Sequence, residues 1–95
     1  MYLALENKGV LDAVMHRFEH HRLPRILDIK NWVDQGGALD EMHIQFLQQV
    51  LHDTQEYKGF VDKHPEFQNL YARVAHLYGE ITRRALENEK RVSLR

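Results

Sequence analysis

The sequence predicts an all-α chain: a small antiparallel bundle of four helices near residues 3–21, 24–35, 40–60 and 65–88. Three observations carry this. Apolar residues recur every three or four positions, the period of one helix face. Pro24, the Gly36-Gly37 pair and Pro65 divide the chain into helix-length pieces. No stretch alternates apolar with polar residues long enough to read as a strand.

The first helix is expected from Leu3 to His21, with Leu3, Val10, Leu11, Val14, Met15 and Phe18 on one face. Gly9 falls opposite. Pro24 disfavours helical backbone at Leu23 and sets the expected break. The second helix, from Pro24 to about Gln35, carries Ile26, Ile29 and Val33 as its core stripe. Leu27 and Trp32 flank that stripe on opposite sides, widening the apolar arc to about 220°, more than a surface helix needs.

Asp40 is a good cap for the third helix, and Leu39 and Ile44 have the spacing of a hydrophobic staple. Leu47, Val50, Leu51, Thr54 and Lys58 follow, with Tyr57 beside them. Gly59 reads as a C-terminal cap, whereas Val61 extends the same face towards Lys63, so both ends stay open. Pro65 opens the fourth helix, capped by His64 or Asp62, with Phe67, Leu70, Tyr71, Val74, Tyr78, Ile81 and Ala85 as its stripe. From about residue 89 the tail is expected to fray.

Ninety-five residues make one helical domain over 1–95. With 43% hydrophobic and 28% charged residues, the chain is too apolar for disorder. It contains no cysteine, which removes disulfides, thiolate catalysis and Cys-ligated zinc. Glu6 and Lys8 break any leader-like apolar run and no stretch is long enough to span a membrane, so a cytoplasmic setting is expected. The net charge is −1, unevenly spread: residues 34–66 hold seven acids and two lysines, while residues 67–95 hold six Lys/Arg and three Glu. Overall basicity, the footprint of a nucleic-acid binder, is missing.

Seven histidines raise the question of a metal. His16 and His20 stand four apart, as do His52 and Glu56, and His76 and Glu80. That spacing puts two ligands on one helix face. At 100° per residue every pair points away from its helix's apolar stripe, so the pairs diverge and no metal or cofactor is expected. The segment EHHRLP resembles the histidine box of sensor kinases, where a proline follows the phosphate-accepting histidine. That resemblance implies phosphotransfer on an exposed imidazole. The family places its proline further on; here Pro24 comes four after His20 and three after His21, and the lysine and glycine of phosphotransfer domains are absent.

Ser93 lies in the tail, Thr54 on a core stripe and Thr82 next to one, so no nucleophile with a triad is expected. Asp40, Glu41 and Glu66 read as caps and first-turn charges. The sequence therefore points to a non-enzymatic helical interaction module that self-associates, as a homodimer, through Leu27, Trp32 and Leu5. Its partner would be itself or another protein. The alternative is nucleic-acid binding through Arg22, Arg25, Arg83 and Arg84. A histidine-based phosphotransfer or metal-binding bundle is the further alternative.

Overall fold

The structure, a computed structural model, describes residues 8–93. Leu5 and the expected helix start at Leu3 lie outside the described residues. Among the described residues the chain is all helical, without a strand, and it forms three helices rather than four. Helix α1 is continuous over 8–34: Lys8–Arg17, a π-helical stretch Phe18–Arg22, then Leu23–Asp34. Helix α2 is Glu41–Asp62. A 3₁₀ turn, Pro65–Phe67, leads into α3, Gln68–Ser93. No helix among them is long and apolar enough to cross a membrane.

The expected break at Leu23–Pro24 does not occur. Proline in a helix lacks one amide and its ring strikes the carbonyl four residues back, costing about 3 kcal/mol in a regular α-helix. Here the Leu23 N–H reaches past the usual acceptor to the Phe18 carbonyl. One wide π turn opens the ladder where the ring would collide. Leu23 keeps helical angles, φ −59° and ψ −45°. Continuity also buries Leu23, Ile26, Ile29 and Val33 on one side of α1. At roughly 1.5–3 kcal/mol per buried aliphatic side chain, that gain exceeds the penalty of the proline.

The other boundaries follow local chemistry. The Gly36 N–H bonds the Val33 carbonyl and the Gly37 N–H bonds the Trp32 carbonyl, the pattern of a Schellman stop. Gly36 takes φ +95°, a conformation other residues rarely adopt. Gly37 lies under the Trp32 ring, where an added Cβ would come within 2.3 Å of the indole. Asp40 caps α2 by accepting from the His43 N–H at 2.8 Å, and His43 Nδ1 accepts the Asp40 N–H in return. Helix α2 passes Gly59 and ends at Asp62, where Val61 is buried; the glycine does not cap it.

The three helices run up, down, up. Lys30 meets Glu80 and Asp34 meets Arg84, so α1 and α3 are parallel. Arg22 pairs with Asp53 while Arg25 lies over Phe46, so α2 is antiparallel to α1. The result is a rod of 53 × 22 × 19 Å. The main core joins Leu23, Ile26, Ile29 and Val33 to Leu47 and Val50 of α2 and to Val74, Leu77 and Ile81 of α3. A second cluster, around Met15 and Val61, fills the other end.

Helix α3 continues past residue 89 to Ser93. Asn88 anchors that stretch. It is buried, and its Nδ2 donates to the carbonyls of Val33 (2.8 Å) and Gly37 (3.1 Å), while its Oδ1 accepts from Arg91. One side chain thus closes the end of α1 against α3.

Asn88→Ala removes both donors and leaves those carbonyls without them, and it is expected to cost about 1–3 kcal/mol in urea unfolding. A change below 0.5 kcal/mol (roughly the scatter of neutral surface substitutions) would refute the anchoring role. Gly36→Ala forces a Cβ into left-handed backbone and is expected to cost about 1–2 kcal/mol by the same measurement.

Candidate functional site

Residues 16–25, which span the expected break, lie in the middle of α1 because the helix does not break. The arginines that the sequence set aside for nucleic acid are engaged within the chain. Arg22 forms an ion pair with Asp53 of α2. The Arg25 guanidinium lies 4.2 Å from the centre of the Phe46 ring. Arg83 reaches Glu87 at 2.8 Å, and Arg84 lies 3.5 Å from both Asp34 and Glu87.

His16, His20, His21, His52 and His76 are exposed, while His43 and His64 are half-buried. His16 and His20 are exposed, yet their rings meet, with centroids 4.1 Å apart at 38°. His16 borders an open groove with Asp12, Glu19, Glu66, Phe67 and Arg73, so the pair does not enclose a site. His76 contacts Glu80 at 2.6 Å. Among the described residues, one group places three metal-capable ligand atoms within 4.8 Å of one another: His52, Asp53 and Glu56. Its central carboxylate is already paired with the Arg22 cation, which also opposes a bound cation.

A cavity between Met15, Phe18, Thr54, Tyr57, Leu70 and Tyr71 holds about 20 Å³, close to the room for one water. Burial, followed by the Asp53 and Glu56 carboxylates, raises the Tyr57 phenol above its ordinary value, which keeps it protonated. The Thr54 hydroxyl bonds the Val50 carbonyl and the Thr82 hydroxyl bonds those of Tyr78 and Gly79.

Leu27 and Trp32 are not brought together. Leu27 is half-buried against the main core on the α3 side of α1. Trp32, 48% exposed, lies on the α2 side, and its indole N–H donates to the Ala38 carbonyl at 2.7 Å. It closes the α1–α2 connection and borders an open groove with Met42, rimmed by Arg25, Asp28 and Asp40.

The three seams between helices differ in charge. Lys30, Asp34, Glu80 and Arg84 bridge α1 to α3. Arg22 and Asp53 bridge α1 to α2. No ion pair among the described residues joins α2 to α3. That seam is a groove of about 250 Å³ lined by Leu51, Thr54, Gln55, Tyr71, Ala75 and Tyr78. Ile44, seven residues before Leu51, continues the same edge of α2. On α3, Ala75, Gly79 and Leu86 follow at spacings of four and seven. Ile44 is 44% and Leu86 53% exposed. Neither the charge pattern nor the exposed aliphatics of this seam was legible from single-helix wheels, because both depend on which edges face each other. The signal that could have found it is the uncharged set Ile44, Gln48, Leu51 and Gln55, spaced four, three and four apart.

The α1–α3 ion cluster makes stability depend on acid. The hydrogen bond from Lys30, with the Lys30 and Arg84 charges, holds the Asp34 carboxyl below its ordinary 3.8. A carboxylate shifted down contributes stability above its unfolded value and loses it as pH falls through the lower folded value. The bond to Asp34, then the Asp34 and Glu80 charges, raises Lys30 above 10.5, so its contribution persists until strongly basic pH. The wild-type melting temperature is expected to fall more steeply than that of Asp34→Asn as pH drops below about 4. Superimposable acid limbs would contradict this. No family model, curated protein or solved structure matches this chain.

Proposed function

We propose that this chain is a non-enzymatic helical interaction module that self-associates as a homodimer. The observation that carries the reading is the α2–α3 seam, which no ion pair among the described residues bridges and which exposed Ile44, Leu51 and Leu86 edge. Exposed aliphatic side chains along an open groove mark a candidate interaction site. The two seams beside α1 lack this character, because ion pairs bridge them.

The same geometry weighs against the other readings. Each arginine suggested for nucleic acid has an intramolecular carboxylate or ring partner, and a phosphate would have to displace it. Catalysis needs groups converging in a cleft, and the titratable clusters here stand on open surface. Trp32 remains accessible beside Met42, but its N–H is committed and its groove is edged by charge.

Sedimentation equilibrium at tens of micromolar is expected to return twice the 11.3 kDa chain mass. A single 11.3 kDa species up to millimolar concentration would dispose of self-association.

A further inference from the structure

We propose that His16 and His20 together chelate one divalent transition-metal ion, Cu²⁺ ahead of Ni²⁺ and Zn²⁺, on the outer face of α1. The three histidine-bearing pairs diverge, which bars a site shared between helices. A chelate within one pair needs no second helix.

The π turn aligns the two side chains. In a regular α-helix a residue four positions on overshoots a full turn by about 40°. The turn over Phe18–Arg22 takes more residues per revolution, so it removes part of that overshoot and sets His20 more nearly in line with His16. Their ring centroids are 4.1 Å apart. Two imidazole nitrogens on one ion, each at about 2.0–2.1 Å, stand roughly 3 Å from each other. The terminal torsion of histidine is broad, so rotation of two exposed rings this close brings their nitrogens to that separation. The face is open, and water completes the shell.

Neither ring is committed elsewhere. His43, His52, His64 and His76 each lie within 3.7 Å of a carboxylate oxygen. Among the described residues no hydrogen bond or ion pair engages His16 or His20. Two imidazoles in contact, with no acceptor between them, leave their ring nitrogens for a shared ion.

The surroundings favour a cation here and oppose one at the other pairs. Asp12, Glu19 and Glu66 border the groove beside His16, against the guanidinium of Arg73. Arg17 and Arg22 line a different groove, with His21 and Asp53. By contrast, Asp53, next to His52, is paired with Arg22, and Glu80, the partner of His76, also meets Lys30. Ligand chemistry then selects the ion. Neutral imidazole suits Cu²⁺, Ni²⁺ and Zn²⁺, and for a fixed nitrogen set affinity peaks at Cu²⁺. The hard ions Mg²⁺ and Ca²⁺ favour oxygen ligands.

Titration of the tag-free chain with CuCl₂ at tens of micromolar is expected to load one Cu²⁺ per chain, with an electron paramagnetic resonance spectrum showing two nitrogen ligands. His16→Ala and His20→Ala are each expected to weaken binding about tenfold or more, since one imidazole alone loses the advantage of the linked pair. His21→Ala, His52→Ala and His76→Ala are expected to bind as the wild type does. All five side chains are exposed, so the helical circular dichroism is expected to be unchanged throughout. Absence of bound copper, wild-type affinity in either His16→Ala or His20→Ala, or a loss that follows His52 or His76 instead, would overturn the chelate. The outcome does not depend on whether the chain self-associates.

Discussion

The structure depends on how one missing amide is absorbed. Pro24 sits in the middle of α1 and removes a bond from its ladder. The π turn over Phe18–Arg22 takes up that defect and keeps the helix whole. Because α1 continues, it spans both ends of the molecule and contributes Met15 to one core cluster and Ile26, Ile29 and Val33 to the other. A break there would have given a fourth helix and a shorter bundle. An unbroken α1 gives three helices along a rod, with the groove between α2 and α3 left uncovered.

Charge then distributes the labour among the seams. Lys30, Asp34, Glu80 and Arg84 fix the register of α1 against α3, and Arg22 with Asp53 fixes α1 against α2. Such half-exposed pairs contribute little individually. Their effect is on alignment, since a slip by one turn would set like charges together. Stability rests on the aliphatic core and on Asn88, whose amide ties the end of α1 to α3. The α2–α3 seam has no such fastening among the described residues. It is held by Leu47, Val50, Val74 and Ile81 beneath it, and its upper surface is left to solvent or to a partner.

The histidine-rich segment that dominates the sequence has a modest structural setting. His20 and His21 occupy the π turn, and His16 stacks on His20 at the surface. The wheels predicted outward histidines and the side chains do point outward. They did not predict that two rings would touch, because stacking depends on side-chain rotation across the widened turn.

By itself the sequence determined what short-range chemistry decides. The helical period, the cap at Asp40, the stop at Gly36, the start near Pro65 and the core stripes all depend on residues within one or two turns of each other. What only the tertiary structure decided is whatever sets a local preference against distant burial. Leu23–Pro24 is a break by local rules and a helix in the structure, because the aliphatic stripe on either side must stay in one core. Gly59 caps by local rules and does not, because Val61 is needed beyond it. Asn88, Arg22, Arg25 and Arg84 gained their roles from partners on other helices, up to 55 positions away for Asn88, beyond the reach of any pattern along the chain.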